Sequence, residues 1–179
     1  MAPSAVPARS TAWMNVTFAL AALALLLDQL SKWVILLAVM TPPRSIEVTG
    51  FFNLVLTYNR GVSFGFLASN LWWKPYLLSG LALAVVAGLL VWLHLNDSRL
   101  RRIGIGLITG GALGNVIDRM LHPGVVDFLD FHVFGWHWPA FNLADSAIFL
   151  GVVLLLSDGL FADDQSVKTK ASGRNEDHE

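Results

Sequence analysis

The chain has 179 residues, 12 Lys+Arg against 13 Asp+Glu, no cysteine, 55% hydrophobic residues and only 14% charged. A soluble domain carries about a quarter charged residues, and here the few are unevenly placed: only Asp28, Lys32, Arg44, Glu47, Arg60 and Lys74 lie between Trp13 and Leu95. This excludes a soluble nucleic-acid binder, which needs a basic patch, and the missing cysteine excludes a disulfide scaffold, a thiolate zinc site and a cysteine nucleophile.

About 20 apolar residues cross a hydrocarbon core as a helix, and four segments qualify. After a short N-terminal segment, 1–12, the first predicted span is Met14 to Met40, apolar except for Asp28 and Lys32. It is too long for the apolar core of a signal peptide and no A-x-A site follows, so it reads as a retained helix. A loop over about 41–71 follows; within it Ile46 to Phe66 is rich in β-branched and aromatic residues broken by glycines, which predicts short strands at the membrane surface. The second span, Leu77 to Leu95, is uncharged, and Pro75 falls near its start. The third, Ile103 to Leu121, carries Gly106, Gly110 and Gly114 in one helical row that continues to Asp118, a pattern that lets another backbone approach closely. A second loop, about 122–138, precedes the fourth span, Pro139 to Leu156, interrupted by Asn142 and Asp145. The tail over 162–179 is polar and reads as disordered. Trp13, Trp72, Trp73, Trp92, Trp136 and Trp138 fall at the span ends, as interfacial rings should. Arg99, Arg101 and Arg102 separate spans two and three, whereas 122–138 has no Lys or Arg; both termini are therefore expected in the cytoplasm.

Ionisable groups within spans are costly and default to function. At about 1.5 Å per helical residue, Asp118 lies roughly 22 Å outward from Ile103, Asp28 roughly 21 Å outward from Met14, and Asp145 about 9 Å inward from Pro139. With Asp127 in the outer loop, four carboxylates reach the outer third of the membrane, where Asn59, Asn115 and Asn142 can join them. Simpler readings stand beside this one. Asp28 and Lys32, spaced i,i+4, fit a structural ion pair; Asp118 and Arg119 could neutralise each other. Asp127 sits among Val125, Val126 and Phe128, unlike a solvent-facing turn, and Asp145 has no cation within a helical turn to offset its burial. His122, His132 and His137 fit a wet interface better than a metal site. A peptidase, a proton-coupled carrier and a structural membrane subunit all remain open on these residues. A carrier needs acids at several depths, and no span holds one deeper than Asp28.

The ordered motifs carry a resemblance. Asp28-Gln29 with Lys32, Asn59-Arg60-Gly61-Val62-Ser63-Phe64, Gly110-Gly111-Ala112-Leu113-Gly114-Asn115 with Asp118-Arg119, Val125-Val126-Asp127-Phe128, and Phe141-Asn142-Leu143-Ala144-Asp145 resemble the lipoprotein signal peptidases. The likeness covers about residues 13–160, with Ser63 where alanine is usual. It implies an all-α membrane protein of four transmembrane helices, with a small extracytoplasmic β-cradle between helices one and two. It implies an aspartic endopeptidase of the bacterial inner membrane that cuts diacylglyceryl-modified prolipoproteins before the modified cysteine and is inhibited by globomycin. No metal or cofactor is implied. By motif position the catalytic pair falls on Asp127 and Asp145. The supporting shell falls on Asp28, Lys32, Asn59, Gly61, Asn115, Asp118, Arg119, Asn142 and Ala144. Periodicity alone does not select Asp127 over Asp118; that choice rests on the resemblance.

Overall fold

The computed structural model describes residues 12–61, 72–95 and 98–176, with side chains between Met14 and Leu160. The N-terminal segment up to residue 11, the part of the first loop at 62–71 that includes Ser63, and the last three residues lie outside the described residues. Leu- and Ala-rich sequence, with no internal Pro or Gly, forms α1 (Ala12–Val34), which runs on through a wider π-helical turn, Ile35–Val39. Two strands, β1 (Ile46–Thr49) and β2 (Phe52–Asn59), precede α2 (Lys74–Leu95). Ser98 caps α3 (Arg99–Leu121), its hydroxyl accepting from the Arg101 N–H at 3.2 Å. Then come β3 (Val125–Val133), β4 (Trp136–His137) and α4 (Leu143–Glu176).

Three helical stretches are long and apolar enough to cross a membrane: Met14–Val39, Lys74–Leu95 and Leu143–Leu160, with mean hydropathies of 1.8, 2.3 and 1.8. Their large apolar side chains point outward; Leu23, Leu26, Leu30, Leu81, Val91, Phe149 and Leu156 are all exposed. A helix apolar on its outer face needs an apolar solvent there. The third expected span, α3, does not reach that standard of apolarity, and its place in the bundle explains why. It packs between α1 and α4 and against α2, so glycine can replace bulk. A Cβ at Gly106 would meet the Thr17 carbonyl at 2.7 Å, one at Gly110 the Ala21 carbonyl, and one at Gly111 the Ala144 carbonyl. The glycine row therefore seats α3 against α1, as its spacing implies, and Gly104 and Gly111 do the same against α4.

Two details differ from the sequence reading. The sheet does not come from the first loop alone: it is four-stranded and antiparallel in the order β1-β2-β3-β4, and half of it is supplied by the segment between α3 and α4. Strand pairing across the two loops buries Val125, Val126 and Phe128, apolar positions that one loop could not cover alone. Second, α4 begins at Leu143 rather than near Pro139, because Asn142 caps it; Asp145 thus occupies the first turn. The helical backbone of α4 runs from Leu143 to Glu176.

Val133 and Trp136 close the β3–β4 hairpin through Phe134 and Gly135, both at positive φ (48° and 80°), the geometry of a two-residue type I′ turn. On the other side of β3 the pairing with β2 shifts register between Leu54 and Thr57, which sets Thr57 opposite Asp127. The sheet rests on the end of α1: Ile35 and Met40 pack with Phe128, flanked by Ile46, Leu54 and Leu129.

Candidate active site

The polar residues converge where the C-terminal half of α1, the end of α3, the start of α4 and strands β2 and β3 meet. Lys32 is the innermost knot. Its Nζ lies 2.8 Å from Asp28 Oδ2 and 2.8 Å from Asp118 Oδ2, and donates to Asn115 Oδ1 at 3.3 Å, with the lysine only 2% exposed. The expected Asp28–Lys32 pair is formed, but Asp118 turns to Lys32 rather than to its neighbour Arg119. An ion triad so buried survives only when its remaining lone pairs are satisfied. They are: Asp28 Oδ1 accepts the Ala144 N–H at 2.9 Å, and Asp118 Oδ2 accepts the Val126 N–H at 2.9 Å. One ammonium thereby ties α1 and α3 to the starts of α4 and β3.

Above this knot stand two more carboxylates. Asn142 donates through Nδ2 to Asp127 Oδ1 at 2.7 Å and to the Val126 carbonyl at 3.2 Å. Its own Oδ1 accepts the Asp145 N–H at 2.9 Å while Asp145 Oδ2 accepts the Asn142 N–H at 3.3 Å, a reciprocal capping box at the start of α4. Asn115 donates to the other Asp145 oxygen at 2.8 Å. Burial first, and then the charge of Asp145, push the Asp127 carboxyl up to about 6, against hydrogen bonds from Asn59 and Asn142 and the charge of Lys32. Arg119 donates to the Asn115 carbonyl at 3.2 Å and faces the charges of Asp145, Asp118 and Asp127. A cleft of about 300 Å³, lined by Thr57, Tyr58, Asn59, Arg60, Asp127, Pro139 and Ala140, opens directly on Asp127.

A family model described as signal peptidase (SPase) II matches residues 20–161. The chain belongs to the signal peptidase II family. It is similar to the lipoprotein signal peptidase of Azoarcus sp. (strain BH72), 52% identical over 138 residues that span 76% of this chain and 78% of that one. The lipoprotein signal peptidase of Ralstonia nicotianae (strain ATCC BAA-1114 / GMI1000) is 51% identical over 138 residues, 76% and 79% of the two chains. Two solved bacterial membrane enzymes share the fold. One, determined in meso at 2.3 Å, has TM-score 0.71 and 29% identity over 85% of this chain and 92% of its own. The other, at 1.9 Å, has TM-score 0.70 and 31% identity over 82% and 94%. As a signal peptidase II family member the chain is a peptidase.

In this family member the eleven residues named from the sequence are joined in one hydrogen-bonded network. Gly61 lies at its rim: it is exposed, at φ 73°, and its N–H donates to Asn59 Oδ1 at 2.9 Å, closing the turn that presents Asn59 toward Asp127. Gln29, which follows Asp28 in its motif, belongs to the network as well. Its Nε2 donates to Asp118 Oδ1 at 3.1 Å, Asp28 Oδ2 at 3.2 Å and the Gly114 carbonyl at 3.3 Å. A carboxamide directly after the intramembrane acid Asp28 was the available signal. Gly114 is a second addition, since any Cβ there would strike the Asp28 carboxylate. Among the described residues no group of His, Cys, Asp and Glu could hold a metal ion.

Proposed function

We propose that the chain is a membrane-embedded aspartic endopeptidase that removes the signal peptide from diacylglyceryl-modified prolipoproteins, cutting before the modified cysteine, with Asp127 and Asp145 as its catalytic pair. The observation that carries this reading is the placement of the two carboxylates. Both bond to Asn142, Asp127 through its side-chain amide and Asp145 through its backbone N–H; they repel each other, and one opens on a cleft. Close acids in a poorly solvated site share one proton. Asp145, whose oxygens accept from Asn115 and the Asn142 N–H, serves as the carboxylate that takes a proton from water. The hydroxide formed adds to the scissile carbonyl carbon. Asp127 gives its proton to the carbonyl oxygen; the proton gained by Asp145 then passes to the departing amine as the C–N bond breaks, and the former carbonyl oxygen returns its proton to Asp127 as the C=O bond of the new carboxylic acid forms. The surrounding asparagines and the Lys32 knot keep both acids in register without moving.

The bundle is read as four membrane-spanning helices with α3 enclosed by the other three, both termini in the cytoplasm of an inner-membrane protein, and the sheet at the outer interface. That arrangement holds a substrate helix and its acyl chains in the bilayer while its cut site meets water at the sheet. The test is incubation of the purified protein in detergent with modified and unmodified forms of one prolipoprotein. Cleavage of the modified form alone, blocked by globomycin, is expected. Equal cleavage of both forms, or of neither, would overturn the substrate assignment.

A further inference from the structure

The return from β4 to α4 has a side-chain fastening outside the network described above. After the hairpin, the segment 136–142 runs back along β3. The Trp138 N–H donates to the Phe131 carbonyl at 2.8 Å, and Phe141 exchanges hydrogen bonds with Leu129 at 2.9 and 3.1 Å. It ends at Asn142, the side chain that contacts Asp127. Strand β4 is only two residues long, and Pro139 contributes no N–H. What clasps this segment is Asp130, three residues beyond Asp127 on β3. His137 Nδ1 lies 2.9 and 3.0 Å from the two Asp130 oxygens, and Asn53 Nδ2 donates to Asp130 Oδ2 at 3.0 Å from the opposite strand, β2. His132 stacks on His137 with ring centroids 4.8 Å apart. One carboxylate thus joins β2, β3 and β4. Burial would raise the Asp130 carboxyl, but the hydrogen bonds from His137 and Asn53, with the charges of His137 and His132, outweigh it and hold the group below the ordinary carboxylate range.

We propose that Asp130 and His137 are positioning residues for the catalytic pair: their clasp fixes the returning segment so that Asn142 reaches Asp127. The reasoning is mechanical and electrostatic. Asn142 is one of two side chains whose hydrogen bonds hold the Asp127 carboxyl down against burial and against Asp145, the other being Asn59. The remaining charges facing Asp127 are Lys32 from α1 and Arg119 from α3. Neither is attached to β4. Releasing the clasp loosens the segment that carries Asn142, whose other ties are the Phe141–Leu129 bridge and its cap on α4, so its bond to Asp127 should weaken while the other groups stay in place, and Asp127 should titrate at higher pH without loss of the fold.

The inference rests on the assignment of Asp127 and Asp145, and two readouts separate its failure from that of the assignment. The first is kcat, KM and the pH profile with a diacylglyceryl-modified prolipoprotein for wild type, His137→Ala, Asp130→Ala and His137→Asn. The second is infrared titration of the protonated-carboxyl band that Asp127→Asn removes, which needs no substrate. His137→Ala and Asp130→Ala should lower kcat on the order of tenfold with KM little changed, and both should move the Asp127 titration toward alkaline pH. His137→Asn places an amide donor near the lost Nδ1 and should restore both. A raised KM at constant kcat, or an Asp127 titration unmoved in folded His137→Ala protein, would overturn the proposal. Inactive wild type whose Asp127 band still shifts in His137→Ala would retain the clasp and overturn the assigned reaction instead.

Discussion

Asn142 and Asp127 are joined by a 2.7 Å hydrogen bond, and the same asparagine caps the helix whose first turn carries Asp145. The element that starts α4 is thus also the spacer between the two acids, so helix capping and the placement of the proposed catalytic pair are one structural event. Replacing Asn142 by Ala should cost about 1 kcal/mol of stability for the cap and a much larger factor in turnover. Comparing melting temperature with kcat in one preparation checks the division.

Asp127→Asn and Asp145→Asn should each lower cleavage by roughly 10²–10⁴-fold or more while the protein stays folded, because the amide neither accepts the proton from water nor donates one as an acid. The double variant should be scarcely slower than either single one. Asp118→Asn is the contrasting case. Its amide oxygen can still accept from the Val126 N–H, and Lys32 keeps Asp28, so turnover per folded molecule should persist. A folded but dead Asp118→Asn beside active Asp127→Asn would relocate the pair.

The pH dependence of stability has a fixed sign. Asp127 titrates at about 6 when folded against 3.8 for the free group, so its folded form holds the proton more tightly. The stability this contributes is fully present below about 3.8 and is lost as pH rises through about 6. Asp127→Asn should therefore melt higher than wild type at pH 8, by an amount on the order of 2–3 kcal/mol, and the advantage should shrink toward pH 4. Thermal melts of both proteins across that range measure it.

Lys32→Ala removes the cation shared by Asp28 and Asp118, both buried. Stranding a buried charge costs about 3–5 kcal/mol, and here two acids lose their partner. Low yield and an early melt are expected, with residual cleavage per folded molecule. A fully stable but inactive Lys32→Ala would place the amine in the reaction.

The glycines separate into two groups that a stability screen can read. At Gly110 an added methyl meets the Ala21 carbonyl and the Ala24 side chain, so Gly110→Ala should destabilise by about 1–3 kcal/mol. Gly88 on α2 has nothing within 4 Å of such a methyl, and Gly88→Ala should be neutral or stabilising by up to about 1 kcal/mol.

Reporter fusions test the orientation drawn from the arginine cluster at positions 99, 101 and 102. Fusions at positions 96 and 164 should report the cytoplasm and one at Gly124 the outer side. The reverse pattern would invert the placement of the sheet.

What the sequence by itself determined is what depends on local spacing and on solvent. Long apolar runs demand helices in lipid, the i,i+4 step makes Asp28 and Lys32 a pair, and the four-residue glycine row marks a face on which a backbone sits. Those relations lie within single elements, so one strand of text contains them. Tertiary structure alone decided the rest. Asp130 looks like any loop acid until Asn53 and His137 arrive from neighbouring strands. Pairing β3 with β2 put Asp127 opposite Thr57 and turned a loop into half a sheet. Gln29 gained its role from Asp118, 89 positions away. The choice of Asp127 over Asp118 rests on the resemblance; what the tertiary structure adds is that Lys32 pairs with Asp118 while Asp127 is left facing Asp145. Buried charge is governed by three-dimensional neighbours, and those neighbours come from helices and strands whose sequence separation carries no periodic signal.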